Sequence, residues 1–595
     1  MTRTATGPPV RAERTETERN RAPQAVARPG ARWWADGAAV AVGTALIGWE
    51  GSRLGQWVVD DAAITFAYAR SIDEGLGPVQ QPGSPPVEGY SNPTWLALLV
   101  IGRRLGLFDH RAMLGVPDLV LYPKLLGLLC SAGILVAIAS AARRLVTFSW
   151  VVTALSGVLL AANISFVAWV FSGLENPLYA LLAAVLASVL VRACATGTLL
   201  DRGPAVSAGL LALAAALTRP DGAVLAGAYP LLLLLSVRRA NLTSRMRPAA
   251  LSIAAFTVPY AAFLVWRYTL FGRLVPNTAV AKAQKLPEPA VFAKTIGELL
   301  TFAGWSAVLA ALAGIAMFLA RRGPLRAALA AVLVPLSLTL GAFGVLQRDW
   351  MGLYRFATPV WVLATMAVAL TVTALVERGT PRGRVLTAVA ASVALLLSWV
   401  GQWQPAAAFR ARPTLPMCNI VNRDGVIFNE YADRLGMRNA SLLLPSLGGT
   451  LLTSRHRVYD LAGLTEPRIA EALAAQDTQE LQSYVFGELR PTFIHAVGYW
   501  ARSTGMTAPR LTAEGYVPLM RTNEGTGDWV LADAVDHPER LKSVRAWADH
   551  AVPKDYESGH HSCGGVLRPG RSAAHDGSPS PSPDPDGDHD HDHDA

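Results

Sequence analysis

"WVVDDAAITFAYARSIDEG", residues 57–75, contains two adjacent aspartates, Asp60 and Asp61, directly after an apolar run that predicts the end of a membrane helix. Neighbouring carboxylates repel each other, and close to a bilayer they are costly unless a cation faces them. Taken alone, the pair is equally compatible with a solvated cap of the next helix. The rest of the chain has to show whether cations converge on it.

The composition is that of a membrane protein. The chain has 595 residues, of which 52% are hydrophobic and only 16% charged, and its mean hydropathy is +0.30. Soluble proteins carry about a quarter of charged residues on average. The net charge of +9 comes mostly from arginines in short loops. That distribution follows the positive-inside rule and does not indicate a nucleic-acid partner.

Apolar runs, each long enough to cross a bilayer, recur through most of the chain. We predict eleven spans, at 36–54, 119–142, 149–170, 176–195, 204–218, 222–237, 250–271, 297–320, 326–346, 356–376 and 384–402. The run 94–108 is shorter and carries Arg103 and Arg104, which favours an interfacial helix. With the N-terminus inside and 94–108 not crossing, the arginine clusters of the loops fall on the cytoplasmic side.

This layout predicts a multi-pass protein of the cell membrane with four parts. A disordered cytoplasmic tail, residues 1–35, precedes an all-α polytopic membrane domain at 36–402, which includes an outer loop at 55–118. A smaller extracytoplasmic α/β domain follows at 403–545. Residues 546–595 are rich in Asp, His, Pro and Ser, and we expect them to form a disordered tail.

The α/β assignment rests on alternating helical and strand-like runs. Candidate helices lie at 424–436, 466–475 and 478–489, and candidate strands are "SLLLP", "RVYDLAG", "PTFIHAVG" and "DWVLADAV". Cys418 and Cys563 flank this part and could pair if it lies outside the cytoplasm.

The predicted topology brings the polar loop segments to one face of the membrane. They supply the acids Asp60, Asp61, Glu88 and Glu175 and the cations Arg219, Lys282 and Arg355. One carboxylate can take the proton from an attacking hydroxyl, while cations, or a divalent metal held by carboxylates, stabilise a leaving phosphate. Arginine suits phosphate because it donates two parallel hydrogen bonds. Ion pairs that only fix the topology are the alternative.

Seven segments carry a family resemblance, and they are "DDAAITFAYARSIDEGLGPV", "VEGYSNPTW", "SGLENPLYALL", "ALTRPDG", "WRYTLFGRLVPNTAVAK", "RDWMGLYRFATPV" and "VYDLAGLTEPRIA". In this order they resemble the GT-C superfamily of membrane glycosyltransferases, in particular bacterial family-39-like enzymes and actinobacterial terminal arabinofuranosyltransferases. The resemblance covers roughly residues 36–500. Ala67 and Ser71 stand where the family often has Arg and Asn, a departure that bears on the donor sugar.

The resemblance implies an inverting transfer of a sugar from a polyprenyl-phosphate donor to an envelope glycan, lipid or protein at the outer leaflet. The base would be Asp60 or Asp61, and Asp60 is favoured because it stands nearer the membrane exit. The pair could also hold a divalent cation, Mg²⁺ or Mn²⁺.

The other candidates fall into two groups. Arg219, Lys282 and Arg355 are expected around the donor phosphate, and the residues expected to contact substrate are Glu88, Tyr90, Glu175, Asn277 and Asp349. The rival interpretations are a transporter or flippase, and a membrane protein that binds envelope glycan without catalysis. A transporter would have charges at mid-span and related halves, and the sequence has neither.

Overall fold

The computed structural model describes residues 29–113, 115–236, 242–283, 286–346, 349–522, 527–552 and 563–570. Most of both predicted tails, residues 1–28, 553–562 and 571–595, therefore lies outside the described residues. The first helix begins at Pro29, inside the predicted N-terminal tail, and the last helix continues to Ala551, inside the predicted C-terminal tail. The predicted boundaries at 35 and 546 are corrected accordingly.

The described residues up to Ala411 are mainly helical. Their α-helices are α1 (Pro29–Ser52), α2 (Asp60–Asp73), α3 (Pro93–Arg104), α4 (Asp118–Ala142), α5 (Ser149–Ala162), α6 (Ile164–Val170), α7 (Asn176–Thr196), α8 (Arg202–Thr218), α9 (Ala228–Leu234), α10 (Leu242–Phe271), α11 (Asn277–Ala281), α12 (Pro289–Ala303), α13 (Trp305–Ala320), α14 (Pro324–Val345), α15 (Thr358–Arg378) and α16 (Pro381–Ala411). Short 3₁₀ helices lie at Pro220–Gly227 and Arg355–Ala357, and the short strands β1 (Ala112–Met113) and β2 (Val116–Pro117) form an antiparallel pair.

All eleven predicted spans fall on helical segments, but fewer helices meet the length and composition of a membrane span. Within the described residues six do so, or up to eight if each of two bent pairs counts as one span. The pair α5–α6 bends by 83° and the pair α12–α13 by 95°. Most of the segment 94–108 lies in helix α3, whose 12 residues are fewer than a membrane span needs.

Close helix contacts in the bundle depend on small and paired polar residues. A Cβ built at Gly157 of α5 would lie 2.7 Å from the Cα of Gly43 in α1, so these two helices meet backbone to backbone. Asp36 of α1 is fully buried, and its carboxylate accepts a 2.5 Å hydrogen bond from Arg143 and one from Ser149. This pairing compensates the burial of the charge.

The C-terminal part forms a five-stranded mixed sheet surrounded by helices. Its elements are α17 (Met417–Ile420), α18 (Ile427–Leu435), β3 (Ser441–Leu444), α19 (Leu447–Thr453), β4 (Arg457–Asp460), α20 (Pro467–Ala475), α21 (Thr478–Ser483), β5 (Phe493–Ala496), α22 (Gly498–Ser503), α23 (Ala508–Ala513), β6 (Tyr516–Arg521), β7 (Gly527–Leu531) and α24 (Arg540–Ala551). The strand order is β4-β3-β5-β7-β6, with β3 parallel to β4 and β5, and β7 antiparallel to both of its neighbours.

The sheet domain begins and ends later than predicted. The helix α16 continues to Ala411, so the domain starts beyond residue 403, and α24 extends it to Ala551. The four predicted strands correspond to β3, β4, β5 and β7, and β6 was not predicted. A disulfide joins Cys418 to Cys563 and ties the segment 563–570 to the start of the domain.

Candidate active site

The helix α2 begins with the two aspartates, and the structure separates their side chains. Asp60 is only 2% exposed. Its two carboxylate oxygens accept hydrogen bonds from the backbone N–H groups of Gly448, at 3.1 Å, and Gly449, at 2.6 Å. Burial raises the pKa of Asp60, and these two hydrogen bonds partly oppose the rise. Asp60 is thus engaged by the C-terminal domain.

Asp61 faces a different environment. Among the described residues its carboxylate makes no hydrogen bond and no ion pair, although it is partly buried. The charged groups that act on it are Lys282, Arg355, Asp349 and Glu175, all from other loops. Burial raises the pKa of Asp61, and Lys282 and Arg355 oppose the rise. Consecutive helix residues point about 100° apart, which explains the divergence from Asp60.

Glu175 and Arg219 form a buried ion pair beside this carboxylate. Glu175 precedes α7, and its Oε1 lies 2.9 Å from Arg219 Nη1, while its Oε2 accepts a 2.8 Å hydrogen bond from Asn92. Arg219 also bonds Asp221 at 2.9 Å, and its guanidinium stacks 4.5 Å from the ring centre of Phe356. The guanidinium is therefore held from three sides.

Arg355 and Asp349 form a second ion pair, between Nε and Oδ2 at 2.5 Å. The Arg355 side chain is 6% exposed, and its guanidinium lies 4.7 Å from the ring centre of Phe356. Two charged groups are thus fixed side by side in the segment 349–357. The Phe356 ring packs against the guanidinium of Arg355 and holds it in place by a cation–π contact.

The backbone before Arg355 adopts an uncommon conformation. Leu353 and Tyr354 have φ values of 43° and 51°, in the left-handed region that costs about 1–3 kcal/mol for such residues. The Leu353 carbonyl accepts hydrogen bonds from Ser165, at 2.6 Å, and from the Trp169 indole, at 2.9 Å. Strain of this kind that is held by specific contacts is common in functional loops.

Lys282 follows α11 and is exposed. Within the described part of the chain its ammonium forms no ion pair and no hydrogen bond, but Arg355, Asp61, Asp349 and Arg219 act on it electrostatically. The Asp61 carboxylate and the Lys282 ammonium thus lie close to each other, and no described side chain pairs with either of them. Asp61, Glu175, Arg219, Lys282 and Arg355 come from separate loops, and the structure brings these predicted residues near one another.

A cavity of about 250 Å³ opens next to the ion pair of Arg355 and Asp349. Apart from these two charges and Glu298 it is lined mainly by apolar and aromatic side chains of α12, α14 and α16, among them Phe302, Phe343 and Pro405. An amphiphilic ligand could place a charged group at the ion pair and apolar atoms along the helices.

Three predicted substrate-binding residues have partners outside this group of charges. Glu88 forms an ion pair with Arg267 at 2.8 Å, and the Tyr90 ring packs edge-on against Tyr68 at 5.0 Å between ring centres. Asn277 donates hydrogen bonds to the carbonyls of residues 463 and 464, at 2.7 and 3.0 Å. The structure uses these side chains in packing between the first loop, α10, α11 and the C-terminal domain.

Sequence reasoning missed two acids of the C-terminal domain. Asp460 is fully buried at the end of β4, and burial raises its pKa to about 7 although it accepts N–H groups of Ala462 and Thr465. Asp61 acts on it electrostatically. Burial, reinforced by Asp460, also raises the pKa of Glu466 to about 7. Their motif, "VYDLAGLTEP", was noticed, but only for its family resemblance.

The predicted divalent cation is not confirmed at the aspartate pair. Each oxygen of Asp60 already accepts one backbone N–H group. Glu175 and Asp349 are engaged by arginines. In the described ranges no group of three His, Cys, Asp or Glu residues is arranged to hold a metal ion.

No protein-family model and no curated protein sequence matches this chain. Solved structures do match. The archaeal oligosaccharyltransferase AglB from Archaeoglobus fulgidus, in complex with an inhibitory peptide and a dolichol-phosphate, is 10% identical, with 78% of this chain and 70% of AglB covered at a TM-score of 0.48. ArnT from Cupriavidus metallidurans, bound to undecaprenyl phosphate, is 16% identical, with 88% and 89% covered at a TM-score of 0.41. The arabinofuranosyltransferase AftD from Mycobacteria is 15% identical, with 84% of this chain but 40% of AftD covered at a TM-score of 0.46.

With identities of 10–16% and TM-scores below 0.5, these matches assign no superfamily, activity or residue role to this chain. The roles of individual residues follow from the geometry of this chain.

Proposed function

We propose that this protein is an integral membrane glycosyltransferase that moves a sugar from a polyprenyl-phosphate donor to an envelope glycan, lipid or protein, with inversion at the anomeric carbon. The observation that carries the proposal is the position of Asp61. Within the described residues its carboxylate accepts no hydrogen bond, and it lies among the cations Lys282 and Arg355, which come from loops more than 200 residues away in sequence.

Asp61 is the general base of the proposed reaction. The acceptor hydroxyl attacks the anomeric carbon and gives its proton to Asp61 as the new glycosidic bond forms. The bond between that carbon and the phosphate oxygen breaks on the opposite side, and the electron pair leaves with the polyprenyl phosphate. Asp60 is the poorer candidate, because both its oxygens are engaged by Gly448 and Gly449.

Lys282 and Arg355 bind the phosphate. Lys282 is free to move towards an anion, whereas Arg355 is preoriented by Asp349 and Phe356. Cations placed where negative charge develops stabilise the transition state more than the ground state. Arg219 is held by Glu175 and Asp221, whose charges neutralise it, so it does not make the direct phosphate contact that its sequence position predicted.

The cavity beside Arg355 is the proposed place of the first part of the polyprenyl chain. It joins a charged end, Arg355 and Asp349, to an apolar wall that includes Phe302 and Phe343. An isoprenoid phosphate has the same division between charge and hydrocarbon. The chemistry of the cavity does not select a particular sugar.

The proposed reaction takes place on the outer side of the membrane. The arginine-rich loops define the cytoplasmic side by the positive-inside rule. The disulfide between Cys418 and Cys563 suits an oxidising compartment, and it belongs to the domain that contacts α2. On this proposal the C-terminal domain is extracytoplasmic and helps to enclose the site.

The test is transfer from a labelled polyprenyl-phosphate sugar by purified protein, measured as release of polyprenyl phosphate. We expect Asp61→Asn to lose about a hundred- to ten-thousand-fold in rate, the usual effect of removing a general base. The matched control is Asp201→Asn, the same change at an exposed aspartate before α8. Transfer by folded Asp61→Asn at the rate of the control refutes the proposed function.

A further inference from the structure

The chain before α2 is joined to the chain that leads into the C-terminal domain. The backbone N–H of Asp60 donates to the Leu415 carbonyl at 3.0 Å, and the N–H of Met417 donates to the Val58 carbonyl at 2.8 Å. Val59 pairs with Pro416 as an antiparallel bridge between these bonds. Residues separated by more than 350 positions thus form a short piece of β-ladder at the start of α2.

The Asp60 side chain adds a second attachment at the same place. Its carboxylate accepts the N–H groups of Gly448 and Gly449 in the first turn of α19. The contact requires glycine, because a Cβ on Gly448 would lie 1.9 Å from the Asp60 carbonyl oxygen. A Cβ on Gly449 would lie 2.7 Å from the Met417 carbonyl oxygen. Helix α19 therefore rests directly on the backbone of α2.

We infer that Asp60 is a positioning residue, through which the C-terminal domain fixes the first turn of α2 and so holds the Asp61 carboxylate in the site. The inference rests on the proposed function, in which Asp61 is the base. The Cα atoms of neighbouring residues are 3.8 Å apart, so a backbone fixed at Asp60 leaves little freedom at Asp61. Of the two adjacent aspartates, Asp60 therefore positions the helix and Asp61 acts as the base.

The arrangement also explains why Asp61 can stay free of internal partners. A general base must reach the acceptor hydroxyl at hydrogen-bond distance, and a displacement of about 1 Å can cost a hundredfold in rate. A carboxylate held by its own hydrogen bonds would be well placed but unavailable. Here Asp60 accepts the hydrogen bonds, and no group in the described ranges occupies the oxygens of Asp61, which stay available to the substrate.

A substitution in α19, which packs against Asp60 but does not line the proposed substrate site, tests the inference. We choose Gly448→Ala, which pushes α19 away from α2, and compare it with Gly487→Ala, where nothing lies within 4 Å of the added Cβ. Asp60→Asn is the milder companion, because it keeps one acceptor oxygen and replaces the other by a donor facing an N–H. All variants are purified as full chains, and their folding is checked by thermal unfolding.

We expect Gly448→Ala to lower kcat by about a hundredfold and Asp60→Asn by less, while the Kd for a polyprenyl-phosphate donor stays as in Gly487→Ala. A purely structural role would lower the amount of folded protein and leave kcat per folded molecule unchanged.

The pH profile of kcat gives a second readout. The charged groups that face Asp61 are Lys282, Arg355, Asp349 and Glu175, with Asp60 and Asp460 nearby. Burial raises the pKa of Asp61. Loosening of α2 admits water and lowers that pKa, so the acid limb of kcat moves to lower pH in Gly448→Ala.

The outcomes separate the two proposals. If Asp61→Asn is inactive and both Gly448→Ala and Asp60→Asn keep the kcat and the acid limb of the wild type, Asp60 is not a positioning residue and the proposed function stands. If Asp61→Asn is active, the proposed function itself fails. If Gly448→Ala does not fold, Asp60→Asn decides alone, and wild-type kcat in that variant overturns the inference.

Discussion

Replacing Arg219 with methionine should destabilise the protein by several kcal/mol. The guanidinium lies 2.9 Å from oxygens of both Glu175 and Asp221, and all three side chains are less than a tenth exposed. Removal of one partner from a buried ion pair costs about 3–5 kcal/mol, because the other charge stays buried without compensation. Two carboxylates lose their cation here, so we expect the upper part of that range.

A double-mutant cycle isolates the pair. Glu175→Gln removes one of the stranded charges, so the double variant Arg219→Met/Glu175→Gln should recover about 0.5–3 kcal/mol relative to the sum of the single changes. Unfolding of the purified protein by a denaturing detergent, followed by tryptophan fluorescence, measures each free energy. The matched control is Arg247→Met, at an exposed arginine of α10. A loss for Arg219→Met of less than about 0.5 kcal/mol, the ordinary effect of a surface change, refutes the buried-pair reasoning.

Three further predictions concern the donor, the pH dependence and the topology. Lys282→Gln should raise the donor Kd about tenfold or more, since a charge-assisted hydrogen bond contributes about 1.5–3 kcal/mol. The control Lys294→Gln should leave the donor Kd unchanged. Equal donor-binding curves for the two variants would contradict the prediction. The kcat should rise with pH and then level off, because Asp61 acts as the ionised carboxylate. Since burial raises the pKa of Asp61, the midpoint of this rise should lie above the pKa of an ordinary aspartate, and a midpoint below about pH 4 would contradict the prediction. A membrane-impermeant maleimide should label Tyr499→Cys in intact cells and Met246→Cys only after permeabilisation, both positions being well exposed, and the reverse pattern would invert the topology.

Hydropathy predicted the helical segments because spans are encoded locally, by runs of apolar residues. Every predicted span coincides with described helix over most of its length, and α3 was set apart by its length and by Arg103 and Arg104. The convergence of Asp61 with Lys282 and Arg355 also followed from sequence. It required only that their loops lie on the same side of the bundle, which a count of crossings provides.

Roles that depend on long-range contacts did not follow from sequence. The partner of Asp60 lies 388 residues away, and nothing local distinguishes its surroundings from those of Asp61. Asn277 and Glu88 were predicted to bind substrate, but they pair with the C-terminal domain and with Arg267. Which of several polar residues in a loop faces a cavity depends on side-chain direction, which hydropathy and parity do not contain.

The pairing pattern of the charges gives the last prediction. Arg355 pairs with Asp349 and Arg219 with Glu175, whereas the Asp61 carboxylate and the Lys282 ammonium have no ion-pair partner among the described residues. In the proposed reaction the proton that reaches Asp61 neutralises it just as the leaving phosphate gains charge, and Lys282 is then attracted by the phosphate alone.

Asp61→Asn imitates that neutral state before any reaction. We therefore expect this variant to lose turnover yet bind the donor as tightly as the wild type or more tightly, because a negative charge beside the phosphate is gone. Equilibrium binding of a labelled polyprenyl-phosphate sugar measures the affinity, with Asp201→Asn as the matched control. A donor Kd that rises tenfold in folded Asp61→Asn would mean that Asp61 holds the donor instead of repelling its phosphate, and the assignment of Asp61 as base and Lys282 as phosphate ligand would be wrong.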